Sequence, residues 1–248
     1  MSLQLRAPRA VTGAVLATAL AAAVAVPAAA TAAPKDSGWQ KDGLRLNAQE
    51  NRAVDAFLDR AKDAEKEISA QVRTVASWSD AELVGFDKRL KTEDSLKRKI
   101  ATWLRADPEQ SVHDALGDIN DSIRYTFQWP DEAYTGGAET AARMLTDYGH
   151  TNVRWSNTWK NRASYKAINT AWADARTKHK FEIQLHTPAS RQAATDTHPL
   201  YEEQRLPDTP PKRVEELARQ QGEIFAAVPV PEGAAELTAP AARVPAGG

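Results

Sequence analysis

The chain has 248 residues, with 32 basic and 33 acidic side chains, and its formal net charge of −1 gives no reason to expect a nucleic-acid duplex or an anionic membrane as a partner. Cysteine is absent, which excludes disulfides, thiolate metal sites and a cysteine nucleophile. Any metal would need oxygen or imidazole ligands, and a carboxylate site of that kind favours Mg²⁺ or Mn²⁺.

The first 33 residues have the pattern of a secretory signal peptide. Arg6 and Arg9 precede a run of small, mostly apolar residues at 11–26, and the stretch AAATAA follows Pro27. This run is too short and too rich in alanine for a membrane span. A disordered alanine-rich tail is the alternative. We expect export, which would leave a mature chain of 30 basic and 33 acidic residues.

The first half of the remaining chain is predicted to be helical. Apolar residues recur at helical spacing over 46–78, and Asn47 with Glu50 forms an N-terminal capping box. A second capping box at 79–82 predicts a shorter helix, and a third helix is expected over 93–104.

The second half mixes strands with helices. Strict alternation of apolar and polar residues predicts strands at 122–129 and 181–186, with shorter strand candidates at 152–156 and 166–172. Further helices are expected at 138–148, at 189–197 and after Pro211. From Val228 onward proline, alanine and glycine dominate, which predicts a disordered tail over 228–248. The order of elements predicts an α+β fold, a small mixed sheet flanked by helices, in one domain over 34–227.

The strand FEIQLH presents a carboxylate, an amide and an imidazole on its polar face, from Glu182, Gln184 and His186. A water-facing strand is ordinarily polar, so solvation alone is one interpretation. Metal binding is another, because Asp118 and Asp121 lie just before the strand at 122–129 and either could join Glu182 around a divalent cation. Glu182 could instead act as a general base.

Basic residues cluster in RLKTEDSLKRK at 89–99. Cations and a hydroxyl at the start of a helix suit a polyphosphate, from Arg89, Lys91, Ser95 and Lys99, although a solvated basic face is the simpler interpretation. Arg124 could stack on a base or bind phosphate, or face solvent. In NTWKNRASYKAIN, Tyr165 lies among Lys160, Arg162 and Lys166, an arrangement that suits a nucleotide or an ordinary tyrosine at a sheet edge.

Taken in order, these segments resemble the synthetase domain of RelA/SpoT-type alarmone synthetases over about residues 80–206. RLKTEDSLKRK resembles the R-x-K-S-x-x-S-I-x-x-K donor-ATP segment, and SIRYTF the strand with the metal-binding Asp and the adenine-stacking Arg. SYKAIN resembles the Y-R-S-L-H acceptor motif, FEIQLHT resembles E-[IV]-Q-I-R-T, and THPLYEE resembles the closing H-x-x-Y segment with His198 and Tyr201. Export makes the chain most similar to the extracellular nucleotide 3′-pyrophosphokinases, followed by secreted toxins of the same superfamily.

The resemblance implies a nucleotidyltransferase-like synthetase fold that transfers pyrophosphate from ATP to the 3′-hydroxyl of a purine nucleotide, with Mg²⁺ or Mn²⁺. On the donor side it implies that Arg89 and Arg124 sandwich the adenine, with the phosphates on Lys91, Ser95 and Lys99. Glu182 would be the catalytic carboxylate, as a metal ligand or a base, and Tyr165 would stack on the acceptor base. The other expected acceptor-side residues are Lys160, Lys166, Asn169, Gln184 and His186. The resemblance implies no particular oligomeric state.

Several positions depart from the family pattern. Ile119 stands where the family has its metal-binding Asp; we expect Asp121, two residues on and therefore on the same strand face, to replace it rather than Asp118. Asn169 and His186 replace a His and an Arg, both on the acceptor side. We therefore expect AMP, ADP, ATP, GDP and GTP all to be accepted. A non-catalytic nucleotide- or polyanion-binding protein and a secreted antibacterial toxin with the same chemistry remain alternatives.

The leader pattern generates the first prediction. In an exporting host, cleavage should fall between about Ala30 and Ala33, because small residues there suit signal peptidase. N-terminal sequencing of the protein from the medium measures this directly. Recovery of an intact Met1 from the cytoplasm would contradict it.

Overall fold

The computed structural model describes residues 37–206 and 208–241; the predicted signal peptide, residues 1–33, lies outside them. The helices are α1 (Ala48–Trp78), α2 (Glu93–Ala106), α3 (Val112–Gly117), α4 (Asp131–Asp147), α5 (Pro188–Gln204) and α6 (Pro211–Ala226). The strands are β1 (Trp39–Lys41), β2 (Leu44–Leu46), β3 (Glu82–Val84), β4 (Arg124–Gln128), β5 (Thr151–Asn157), β6 (Ile168–Ala173) and β7 (Lys180–His186). Of the helices in this described part, none combines the length and the apolar character that a membrane crossing requires.

Five strands form the central sheet, in the order β3-β4-β7-β6-β5. β4 and β7 pair in parallel, while the other neighbours are antiparallel. The sheet is therefore mixed and flanked by helices, which confirms the predicted α+β class. Strands β4 and β7 are separated by more than 50 residues of chain, as a parallel pair requires a long crossover connection.

One face of the sheet is the main core. Tyr125 and Phe127 of β4 and Ile183 of β7 are fully buried there, together with side chains from α1 and α4. The long first helix begins at the predicted capping box, since Asn47 accepts from the Glu50 amide and Glu50 accepts from the Asn47 amide. Because strand side chains alternate, the polar residues of β4 and β7 all lie on the opposite face.

A second core lies at the N-terminal end of the domain. The hairpin β1–β2 packs Leu44 and Leu46 against the start of α1 and against α2 and α3. The hairpin was missed from the sequence because its strands have three residues each. Its turn, Asp42-Gly43, has positive φ at both positions, the conformation that tight hairpin turns favour.

The predicted helix at 79–82 was wrong. Ser79 closes α1 instead, because its hydroxyl donates to Val75 O, and Asp80 then takes a positive φ that stops further helix. The chain continues as β3, which pairs with β4 at the edge of the sheet.

The predicted disordered tail was also wrong for residues 228–241. Val228, Ala234 and Leu237 are buried in the main core, and a short 3-10 helix spans Ala234–Glu236. The side chains of Trp155 and Asn157 on β5 donate hydrogen bonds to backbone carbonyls of this segment. Composition indicated disorder, whereas the edge strand β5 offers donors and an apolar surface that hold the segment.

These contacts generate a stability prediction. Leu237→Ala should lower the free energy of unfolding by about 2 kcal/mol, because it removes a buried apolar side chain from the main core. Chemical denaturation measures the change. The matched control is Val230→Ala in the same segment, where the side chain is 49% exposed and the expected change is within about 0.5 kcal/mol. Equal, negligible effects of both substitutions would contradict the packing of this segment.

Candidate active site

The site is built on one row of side chains that crosses four strands. Arg124 of β4 is opposite Glu182 of β7, Glu182 is opposite Ala171 of β6, and Ala171 is opposite Arg154 of β5. Directly opposite residues place their Cβ atoms about 5 Å apart. Glu182 therefore has an arginine next to it on one side and a second arginine on the other, across the small side chain of Ala171.

The environment of Glu182 favours a carboxylate that can accept a proton. Its side chain is buried, and Gln184 Nε2 donates to its Oε1 at 2.7 Å. Burial and then the neighbouring charge of Asp121 raise the pKa of Glu182, against the opposing effects of Arg124, Gln184 and Arg154. A raised pKa makes the carboxylate a stronger base than an ordinary surface glutamate.

Asp121 lies beside Glu182 and is held by two lysines. Lys91 Nζ is 3.0 Å from Asp121 Oδ2, and Lys99 Nζ is 2.9 Å from Oδ1. Burial alone would raise the pKa of Asp121, but the charges and hydrogen bonds of both lysines outweigh it and hold the pKa below its usual value. Asp118, the other aspartate considered from the sequence, is exposed and ends α3.

The two carboxylates fit a divalent cation that arrives with a phosphorylated substrate. The described residues contain no group of three or more His, Asp or Glu able to hold a metal by themselves. Mg²⁺ typically uses one or two carboxylates and completes its shell with phosphate oxygens and water. The charge of Asp121 influences the pKa of Glu182, as expected for two carboxylates close enough to share a cation. Asp121 also attracts positive charge, since two lysine ammonium groups contact it.

Helix α2 begins at the edge of this charged cluster. Thr92 caps it, accepting from the Ser95 amide, and its hydroxyl donates to Ser95 Oγ at 2.8 Å. Ser95 therefore lies in the first turn, where free amides and the helix dipole favour anions. Lys99, one turn further on, reaches Asp121. Two cations of the basic segment predicted from the sequence, Lys91 and Lys99, thus meet at Asp121.

The structure does not bring the guanidinium group of Arg89 to that of Arg124. The backbone of Arg89 pairs with Arg124, but its guanidinium binds the carboxylate of Glu65 on α1 and lies over the ring of Phe86, 4.3 Å from its centroid. Glu65 also accepts from Ser69, which is hydrogen-bonded to Tyr125. These partners lie on the core face, opposite the side chain of Arg124. The guanidinium of Arg89 turns toward them because a buried carboxylate offers it a stronger interaction than solvent does.

Tyr165 is the centre of the acceptor-side residues. Its hydroxyl lies 3.1 Å from Asn169 Oδ1 and 3.0 Å from His186 Nε2, while His186 Nδ1 lies 2.9 Å from Ser190 Oγ. Burial, with the nearby charge of Arg191, lowers the pKa of His186 to about 3, so its ring is neutral. Asn169 and His186 therefore hold Tyr165 in place.

Two predicted acceptor-side lysines have different positions. Lys166 is buried, and its ammonium donates to the Trp159 carbonyl at 3.3 Å, so the expectation that it contacts an acceptor is not supported. Burial lowers the pKa of Lys166, as expected for a cation without a carboxylate partner. Lys160 is exposed on the loop between β5 and β6. His198 and Tyr201 are exposed on α5.

Two arginines near the site were missed from the sequence. Arg154 was hidden in a short strand whose partners only the sheet register reveals. Arg191 on α5 influences the pKa values of Tyr165 and His186, and its Nε is buried without a hydrogen-bond partner among the described residues. It lies beyond the FEIQLHT motif, so no local pattern pointed to it.

Comparison with known proteins gives structural matches alone, since no protein-family model and no curated protein sequence matches the chain. The small alarmone synthetase 1 from Bacillus subtilis has 17% identity, with 69% of this chain and 90% of that chain covered at a TM-score of 0.50. The same synthetase bound to its product pppGpp gives a TM-score of 0.49, with 17% identity over 71% and 92% of the two chains. A GTP pyrophosphokinase family protein from Streptococcus pneumoniae gives 0.46, with 18% identity over 70% and 89%.

A structural match at this low identity establishes the fold alone, so the reaction has to be inferred from the residues of the site. The expected resemblance is confirmed at that level: the described part of the chain has the fold of a small alarmone synthetase.

Proposed function

We propose that the chain transfers the pyrophosphate group of ATP to the 3′-hydroxyl of a purine nucleotide. The hydroxyl oxygen forms a bond to the β-phosphorus, and the bond from that phosphorus to the oxygen of the α-phosphate breaks. AMP leaves, and the acceptor becomes a nucleotide 3′-diphosphate. The proton of the hydroxyl passes to a carboxylate, for which Glu182 is the candidate.

The observation that carries this proposal is the Arg124–Glu182–Arg154 row beside the Asp121 cluster. A base with a raised pKa stands between two cations that can bind the charged oxygens of a transferring group. A merely solvated strand face would not need a carboxylate buried this deeply between arginines. The row therefore favours proton transfer next to phosphate over a purely structural role.

Lys91 and Lys99 are proposed to receive the donor triphosphate, next to Asp121. The lysines now neutralise a buried carboxylate, and phosphate oxygens would offer them a second set of anionic partners. Arg124 is proposed to bind the adenine or a phosphate of the donor. A bound Mg²⁺ or Mn²⁺, held by Asp121 and Glu182, would supply neutralisation of charge on the leaving group.

The acceptor would lie over the β6–β7 side of the face. Tyr165 offers an aromatic surface that would stack on the acceptor base, held by Asn169 and His186. Gln184 orients Glu182 toward the same face through its hydrogen bond. With the signal-peptide pattern of its first 33 residues, the enzyme is proposed to act outside the cell on extracellular ATP and a second nucleotide.

A direct assay tests the reaction and its catalytic base. With ATP, Mg²⁺ and GDP or ADP, chromatography should reveal AMP and a nucleotide 3′-diphosphate in equal amounts. Glu182→Gln should lower turnover by a factor of about 10²–10⁴, since an amide of the same shape cannot accept the proton. Calorimetry should show ATP binding largely retained, because Lys91, Lys99 and Arg124 are unchanged.

Asp121→Asn tests the second carboxylate, and Asp118→Asn is its matched control. Only Asp121→Asn should abolish turnover, because Asp118 is exposed and makes no contact with the two lysines. Production of AMP without a doubly phosphorylated product would indicate a hydrolase. ATP binding without any AMP would favour the non-catalytic alternative.

The acceptor site generates a second kinetic prediction. Tyr165→Ala should raise the acceptor KM by roughly 5- to 100-fold, because stacking on an aromatic ring contributes about 1–3 kcal/mol, while the KM for ATP changes little. Tyr165→Phe keeps the ring and should have a much smaller effect. Initial rates with adenosine and guanosine acceptors measure both constants. Strict guanosine specificity, or an effect confined to ATP, would contradict this assignment.

A further inference from the structure

A cavity of about 420 Å³ lies on the α1 side of the sheet, away from the Glu182 face. It is bounded by α1, by the end of α3 and by the hairpin turn that joins β6 to β7. Its volume falls in the range of small-molecule sites, about 300–1,000 Å³. The side chains that give it its character are those of Phe57, Arg60, Asp63, Arg176, Lys178 and His179.

The lining of this cavity is strongly basic. Arg60, Arg176, Lys178 and Lys180 face a single acid, Asp63, which is paired with Lys66 outside the cavity. Lys180 donates to the carbonyl of Gly117, and Arg176 is paired with Glu67. Within the described part of the chain, Arg60 and Lys178 have no carboxylate partner. Two exposed cations therefore face the cavity with their charge uncompensated.

An aromatic surface accompanies these charges. The rings of Phe57 and His179 are in contact, with centroids 5.1 Å apart, and the Arg60 guanidinium lies 5.8 Å from the Phe57 centroid. Cations next to a half-buried aromatic ring suit a ligand that has both phosphate groups and a flat base. An acidic peptide would need no such ring, and a lipid surface would need a convex or flat patch rather than a cavity.

We propose that this cavity is a second binding site for a phosphorylated small molecule, with Arg60 and Lys178 on the phosphates and Phe57 available to a base. A nucleotide and a free polyphosphate share the phosphate chemistry, and the contribution of the base separates them.

The cavity is connected to the catalytic face by one hydrogen bond. His179 Nε2 lies 2.9 Å from Ser122 Oγ, and Ser122 directly follows Asp121 in the chain. His179 also precedes Glu182 by three residues and lies directly before the start of β7. A ligand in contact with His179 would thus touch the segment that leads to Glu182 and, through the Ser122 hydrogen bond, act on the segment that carries Asp121. Coupling between two sites requires a physical connection of this kind.

Calorimetric titration of the purified chain with ADP tests the site, without Mg²⁺ and without ATP so that no turnover occurs. The chain should bind ADP at the Glu182 face and one further ADP molecule, called the second ADP, in the cavity. Arg60→Glu with Lys178→Glu should remove the second ADP, because each charged hydrogen bond lost lowers affinity by about tenfold or more. The control is Lys62→Glu with Lys212→Glu, which changes the net charge equally at exposed positions outside the cavity and should leave the number of bound ADP molecules unchanged.

If the double variant misfolds, Lys178→Glu alone still tests the site, because Lys178 lies at an exposed turn. It should lower the affinity for the second ADP by about tenfold. Tripolyphosphate separates the two ligand sources: displacement of the second ADP at equal affinity identifies a polyphosphate site, and weaker displacement identifies a nucleotide site. A number of bound ADP molecules that Arg60→Glu with Lys178→Glu leaves unchanged would overturn the inference. Loss of the second ADP in that variant, with no pyrophosphate transfer by the unchanged chain in the ATP assay, would instead overturn only the proposed reaction.

Discussion

The parallel pairing of β4 with β7 is the constraint on which the site depends. Its register sets Arg124 opposite Glu182, and it also sets Tyr125 opposite Ile183 on the buried face. Because strand side chains alternate, a slip of one residue would turn Glu182 into the core and expose Ile183. The apolar contacts with α1 and α4 thereby fix the position of the Glu182 row as well as the fold.

The charges on the polar face balance one another only as a group. Asp121 is stabilised by Lys91 and Lys99, and its negative charge helps to raise the pKa of Glu182. If phosphate oxygens engaged the lysines, Asp121 would lose part of its compensation, and a divalent cation bound with the nucleotide would restore it. Binding of metal and triphosphate together, as proposed, would therefore exchange one neutralised arrangement for another, without leaving a buried charge unpaired.

Local pattern predicted those parts of the molecule that local physics determines. Alternation placed β4 and β7 and put Glu182 and Gln184 on one face, and the Asn47 capping box marked the start of α1. Three features depended on distant contacts instead. Arg89 turns to Glu65, 24 residues away in the chain, the segment after Val228 is held by β5, and Arg154 reaches the Glu182 row only through register. Neither composition nor spacing contains that information.

The proposed acceptor side differs in charge from the pattern of the family that the sequence resembles. Where the resembling family has an arginine, this chain has His186, and burial with the nearby charge of Arg191 keeps that ring neutral. A neutral, buried imidazole bonded to Tyr165 and Ser190 contributes rigidity rather than charge. If Tyr165 stacks on the acceptor base as proposed, it distinguishes one purine from another only weakly, because stacking uses a ring face that every purine has. Any discrimination between bases must come from polar groups that reach the base edge.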